Sequence, residues 1–270
     1  MEKIDITLAK AGGAFCTNKD DVDADPALKL DAIHDLIGVI NEFRAKHPDD
    51  KLVLGHGGGS WAHRVAWEHM QRIQSKQWDE EAAIAVRASS QDLNRLLREM
   101  FIEAGLPIDV MKTEDLIHKG PDGYVLSTEG VSSIPALEQS FSANRIPLLY
   151  GAMIDTPGGY EVLSTEALLL ELGRHWQGRV KQAMFFSDRL GVEAKLNGPI
   201  LSGVQVAELE EIQRLAVRSR RPDVRDVSGE MGEKLKNARG MANLGIPVFI
   251  GRPSLAALEG EPTQGTWITA

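Results

Sequence analysis

Three stretches of the chain share one local design: Ala104-Gly105-Leu106-Pro107, Asn144-Arg145-Ile146-Pro147 and Leu244-Gly245-Ile246-Pro247. Each closes a segment with helical apolar spacing and opens an apolar run. Glycine suits the left-handed residue that ends a helix, and proline prevents the helix from continuing. A chain that repeatedly leaves a helix straight into a strand builds a mainly parallel sheet with helices on both faces. The expected fold is therefore α/β, a three-layer αβα sandwich around a mainly parallel central sheet.

Other segments fill in this frame. Ile4 to Ala9 alternates apolar and polar residues, which predicts a strand. Asp25-Pro26 predicts a helix start, with Asp as N-cap and Pro at the first helical position. Leu30, Ile33, Ile37, Ile40 and Phe43 carry that helix to His47-Pro48. Leu52 to Leu54 reads as a strand. A long helix is expected from about Asp79 to Ala104, stopped by Gly105. Thr156-Pro157-Gly158-Gly159-Tyr160 reads as a hairpin turn. Phe185-Phe186 and Val248-Phe249-Ile250 read as buried strands.

Composition limits the function classes. The 270 residues suit one large domain or two lobes. A net charge of −9 disfavours nucleic acid, which calls for a basic face. The single cysteine, Cys16, excludes an internal disulfide and suits a reducing cytoplasm. No run of about 18 apolar residues occurs, so no membrane insertion is expected. The charged segment Met1-Glu2-Lys3-Ile4-Asp5 lacks the apolar core of a signal peptide.

Chemistry concentrates where glycines follow strands. Leu52-Val53-Leu54 empties into Gly55-His56-Gly57-Gly58-Gly59-Ser60-Trp61-Ala62-His63. Glycine lets backbone N–H groups press against a ligand, and a following helix adds its free donors and positive dipole end. The result is a seat for an anion, phosphate above all; the plain alternative is a flexible turn. Lys10-Ala11-Gly12-Gly13-Ala14 follows the first strand, with Lys19 in the next loop. Ser187-Asp188-Arg189-Leu190-Gly191 follows Phe185-Phe186. Asp226-Val227-Ser228-Gly229-Glu230-Met231-Gly232-Glu233-Lys234 runs into a helix. Glycine turns with separated lysines suit polyphosphate, because the lysines neutralise charge that develops during phosphoryl transfer. There is no P-loop, no kinase His-Arg-Asp loop, and no dinucleotide fingerprint after the first strand. His56, His63 and His69 do not share a helix face, so no metal site is expected from them.

In order along the chain, Lys-x-Gly-Gly, His-Gly-Gly-Gly-Ser-aromatic-x-His, Asp-Val-Ser-Gly-x-Met-x-x-Lys and a closing Gly-Thr-x-Ile resemble the amino acid kinase superfamily. The pattern is most similar to its isopentenyl phosphate kinase branch, from Lys10 to Ile268. The resemblance implies transfer of the ATP γ-phosphoryl group to a small phosphorylated acceptor, with Mg²⁺. It implies catalytic roles for Lys10, Lys19, His63, Glu166 and Lys234. It implies nucleotide contacts at Lys10, Gly12, Gly13, Lys19, Ser187, Asp188, Gly191, Gly229, Met231 and Lys234. Acceptor contacts fall on Gly57, Gly58, Gly59, Ser60, His63 and Gly151. An acceptor lobe of about 1–152, a nucleotide lobe of about 153–270 and a homodimer are further expectations.

The chain departs from the family pattern at several positions. Ala14 stands where the family has serine, and Ala152 where an aspartate follows the glycine. Glu166 replaces an aspartate, Leu190 an acid, and Trp61-Ala62 a Phe-Gly pair. A divergent member is expected, with a related phosphate or phosphonate kinase and a non-catalytic ligand-binding protein as rival readings. An NAD-dependent enzyme is disfavoured by the missing fingerprint. The segment Arg72 to Ser140, where the family places an apolar acceptor pocket, matches least.

Overall fold

The computed structural model describes residues 5–18, 25–72, 78–193, 198–209, 211–212 and 230–270. In chain order the strands are β1 (Ile6–Ala11), β2 (Lys51–His56), β3 (Ile108–Val110), β4 (Ile117–Gly120), β5 (Gly123–Leu126) and β6 (Ile146–Tyr150). They continue with β7 (Ala152–Thr156), β8 (Gly159–Leu163), β9 (Val180–Phe186), β10 (Gly203–Gln205), β11 (Val248–Gly251) and β12 (Thr266–Thr269). The helices are α1 (Gly13–Cys16), α2 (Leu30–Lys46), α3 (Gly59–Arg72), α4 (Glu80–Glu103) and α5 (Thr113–Leu116). Then follow α6 (Ile134–Ser142), α7 (Thr165–His175), α8 (Glu230–Asn243) and α9 (Leu255–Glu259).

One eight-stranded sheet carries the fold, in the order β10-β12-β11-β9-β1-β2-β6-β3. The strands from β11 to β3 run parallel, and β12 joins β11 antiparallel. β4–β5 and β7–β8 are separate hairpins. Successive strand residues feed opposite cores. Ile6, Leu8, Val53, Leu149, Phe185 and Ile250 pack with α6, α7 and α8 on one face. Ala9, Ala11, Leu54, Leu148, Met184 and Phe249 pack with α2, α4 and α9 on the other. This is the expected αβα sandwich.

The helix exits behave as their sequences require. Gly105, Asn144 and Gly245 have φ of 84°, 52° and 78°, the left-handed region that closes a helix. Helix α4 starts where expected, with Asp79 Oδ1 accepting the Ala82 N–H at 2.7 Å. Its buried positions Ala83, Val86, Ser90, Leu93, Asn94, Leu97 and Phe101 follow helical spacing.

Two local expectations are corrected. Helix α2 begins at Leu30 rather than at Asp25-Pro26. The backbone there is spent elsewhere: Asn18 donates to Ala27 O at 2.9 Å and Lys29 to Cys16 O at 2.8 Å. Antiparallel pairing with the loop after β1 thus outcompetes the N-cap signal. β1 is buried along its whole length, Thr7 included. Its alternation of apolar and polar residues does not mark a solvent face, because helices cover both sides.

Candidate functional site

Parallel strands end together, and here they end in a line. Gly251, Phe186, Ala11, His56 and Tyr150 are consecutive partners across β11, β9, β1, β2 and β6. The chain crosses from β2 to β9 on either side of β1, and such a reversal in a parallel sheet opens a crevice at the carboxyl ends. The loops leaving this line are the glycine turn after Ala11, the triple glycine after His56, Gly151, and Ser187-Asp188.

The charged centre lies between β1, α7 and α8. Lys10 and Glu166 are both buried, and Lys10 Nζ donates to Glu166 Oε1 at 2.5 Å. Glu166 reaches this place because Ser164 caps α7, its Oγ accepting the Ala167 N–H at 3.1 Å. Burial alone pushes the Glu166 carboxyl up. The charges of Lys10 and Lys234 and the Lys10 hydrogen bond outweigh it and hold the group below its ordinary value. The Lys234 charge, from α8, thus acts on the same carboxylate that Lys10 contacts.

The glycine loops interlock beside this centre. A Cβ on Gly57 would lie 2.7 Å from Gly13 N and 3.6 Å from Lys10 Cε. The Gly57 N–H donates to Ala11 O at 3.0 Å and the Gly12 N–H to Phe186 O at 2.9 Å. Gly59 has φ of 55°, a conformation glycine adopts without strain. The N–H groups of Gly58 and Gly59 have no acceptor among the described residues. Ser60 Oγ is buried and has no hydrogen-bond partner among them either. Free N–H groups at the start of the 14-residue α3, with an unspent hydroxyl beside them, have the donor chemistry that suits an anion. His63 follows one turn along α3 and is half-buried.

Not every expected residue joins this centre. Lys19 and Gly229 lie outside the described residues. Ser187 is buried, its N–H donating to Gly251 O at 2.8 Å. Asp188 is exposed and pairs loosely with Lys29 at 3.9 Å. Gly191 is required by packing, since a Cβ there would meet Ile200 Cγ2 at 2.6 Å. Met231 packs against the core beneath α8. Gly151 passes close to Leu163 O and Thr165 Oγ1, and its N–H donates to His56 O at 3.1 Å.

Sequence reasoning passed over several residues that shape the site. Thr17 Oγ1 donates to Gly13 O at 2.8 Å and accepts the Ser60 N–H at 2.9 Å, tying the two glycine loops together. Lys29 Nζ donates to Ala14 O at 2.8 Å. Thr165 Oγ1 donates to His56 O at 2.6 Å. Thr17 belongs to no local motif and Thr165 only fills the middle of Ser164-Thr165-Glu166; the fold brings both hydroxyls to the loops. Cys16 is buried beside the same turn, and burial pushes its thiol up to about 12, which makes it a poor nucleophile.

Comparison with known proteins agrees with this geometry. The pattern that describes the amino acid kinase family fits residues 5–252. The chain belongs to the amino acid kinase family. Within that family, isopentenyl phosphate kinase of Methanocaldococcus jannaschii is 20% identical over 172 residues. That match spans 61% of this chain and 62% of the relative's length. A solved isopentenyl phosphate kinase superposes with a TM-score of 0.73 at 18% identity, covering 97% of this chain and 99% of that one. The T. acidophilum isopentenyl phosphate kinase product complex gives 0.72 at 16%, covering 98% and 99%. Carbamate kinase from Giardia lamblia bound to AMP-PNP gives 0.64 at 14%, covering 100% and 99%. Such low identities show a shared fold and mark this chain as a divergent member of the amino acid kinase family. No helix among the described residues is long and apolar enough to cross a membrane.

Proposed function

We propose that this protein is a small-molecule kinase that transfers the γ-phosphoryl group of ATP to a phosphorylated acceptor, isopentenyl phosphate being the first to test. The carrying observation is the buried Lys10–Glu166 pair, with the Lys234 charge acting on the same carboxylate, beside the interlocked glycine loops. The ATP polyphosphate and the acceptor phosphate repel each other, and bringing them in line requires cations and fixed N–H donors at one place.

The acceptor phosphate rests on the Gly58 and Gly59 N–H groups and the Ser60 hydroxyl, with His63 donating a further hydrogen bond. One of its oxygens attacks the γ-phosphorus, the bond to the β-bridging oxygen breaks, and ADP leaves. No general base is needed, because the attacking oxygen is already ionised. Lys10 and Lys234, with Lys19 from the neighbouring loop, neutralise the charge that moves to the leaving oxygen. Glu166 keeps the lysines oriented. Loops after β1, β2 and β6 form the acceptor lobe, about 1–152; those after β9 and β11, with α8, form the nucleotide lobe, about 153–270.

Mg²⁺ is bound in such sites through one or two carboxylates plus substrate phosphates. Among the described residues no group of three or more His, Cys, Asp or Glu side chains is placed to hold a metal ion. Asp188, exposed just after β9, would supply such a carboxylate. When bound, the ion supplies further charge neutralisation.

The name of the Methanocaldococcus relative and the phosphate seat together favour isopentenyl phosphate. ADP release should be measured with isopentenyl phosphate, dimethylallyl phosphate, a hydroxyalkyl phosphate, a phosphonate and carbamate. Turnover of a phosphorylated acceptor is expected; ATP binding with no ADP formed on any of them overturns the kinase reading.

A further inference from the structure

His56 is the last residue of β2, and every polar group it has is engaged. Its backbone carbonyl accepts from Thr165 Oγ1 at 2.6 Å and from the Gly151 N–H at 3.1 Å. Its Nδ1 lies 3.1 Å from Gly57 O, and its Nε2 lies 3.0 Å from Asn94 Nδ2. The ring stacks over Tyr150 with centroids 5.9 Å apart and an angle of 24°. Histidine and asparagine are both buried, at 1% and 4% exposure.

These contacts fix the proton. A carbonyl oxygen only accepts, so Nδ1 carries the hydrogen. In a neutral ring Nε2 is then bare, and it needs the donor that the Asn94 amide supplies. Burial drives the ring towards its neutral form, helped by the nearby Lys10 charge, and brings its pKa down to about 4.

The consequence falls on the peptide between Gly57 and Gly58. It is trans, since no cis bond occurs, so its C=O and N–H point in opposite directions. With the oxygen turned to the His56 ring, the Gly58 N–H is aimed away from the ring. No side chain on either glycine opposes a flip of this peptide. A flip would present a carbonyl oxygen, and repulsion, to an anion in the seat.

We infer that His56, set by Asn94 on α4, is a positioning residue that locks the Gly57–Gly58 peptide with its N–H towards the acceptor phosphate. This rests on the kinase reading for its consequence in turnover, but the geometry can be tested without turnover. The side chain acts through the peptide and does not touch the reacting atoms. The same link runs from α4 to the glycine loop, so a change on that helix is felt at the phosphate seat.

Long-range ¹H–¹⁵N spectra of the full chain should show His56 as the neutral Nδ1–H form at pH 6.5. Titration with inorganic phosphate should shift the Gly58 and Gly59 amides, and Asn94→Leu should weaken that response. In kinetics with whichever acceptor turns over, Asn94→Leu should raise the acceptor KM about tenfold or more, leaving the ATP KM in place. His56→Leu should do the same, and His56→Asn, which keeps a donor at the Nδ1 position, should recover most of the loss. An Nε2–H or doubly protonated ring at pH 6.5 overturns the inference, even if His56 variants fail to fold. So does a folded Asn94→Leu protein whose phosphate response is unchanged. Absence of turnover with every acceptor strikes the kinase reading alone, because the tautomer and phosphate titrations still decide the role of His56.

Discussion

Lys10 and Glu166 stand 156 residues apart in sequence and 2.5 Å apart in the fold. One ends the central strand; the other sits in the first turn of α7. A buried lysine is costly unless its charge is answered, and a buried carboxylate likewise. Each makes the other's charge tolerable in the interior. The Lys234 charge also favours the ionised form of the same carboxylate.

Removing one partner should therefore cost more than removing both. Glu166→Gln leaves Lys10 buried opposite a neutral amide, and a loss of about 3–5 kcal/mol is expected in chemical denaturation. The double variant Lys10→Met with Glu166→Leu should regain much of that stability yet show no phosphoryl transfer. A single variant as stable as the parent would show that the pair is not the buried unit described here.

Thr17 links the two glycine loops through one hydroxyl. Thr17→Val keeps the shape and removes both the bond to Gly13 O and the acceptor for the Ser60 N–H. Losing such a cap costs on the order of 1–2 kcal/mol. The acceptor KM should rise with it, while Thr17→Ser should retain both properties. Parallel thermal melts and steady-state kinetics check the two effects.

How much of this was readable in the chain depends on the range of the forces involved. The exits at Gly105, Asn144 and Gly245 are local conformational demands, and they were legible with the sheet they imply. The glycine turn leading from β2 into α3 was legible for the same reason. The Asp25-Pro26 cap signal failed because pairing of residues 16–18 with 27–29 claimed its backbone. Glu166 was identified only through resemblance. Thr17, Lys29 and Asn94 left no trace in any local pattern, because their partners lie on other elements.

Acid should weaken the fold in two steps. His56 is held neutral, with a pKa near 4 against an ordinary 6.5. The unfolded chain thus binds a proton that the folded one refuses. Its contribution is complete above pH 6.5 and is lost as pH falls towards 4, by up to about 3 kcal/mol. Glu166 is lowered from 4.5, so its contribution holds above 4.5 and fades below. Denaturation midpoints of His56→Asn should be flatter than those of the parent between pH 6.5 and 4.5. Equal slopes would mean that the ring titrates normally.

Two glycines separate packing from mere helix content. Gly38 lies on the exposed side of α2 with nothing within 4 Å of a Cβ, so Gly38→Ala removes only backbone freedom. It should raise stability by about 0.5–1 kcal/mol and leave turnover unchanged. Gly57 offers the opposite case. A Cβ there meets the backbone Gly13 N at 2.7 Å, and neither loop can yield without moving the Gly58 and Gly59 N–H groups. Gly57→Ala should fold with a penalty of about 1–3 kcal/mol. Its loss of kcat/KM should exceed what that penalty explains, because a small displacement of the cradle disturbs in-line geometry. Measuring both variants by denaturation and by ADP release tests whether the contact between the two glycine loops serves the chemistry. A Gly57→Ala protein with normal kcat/KM would show that it does not.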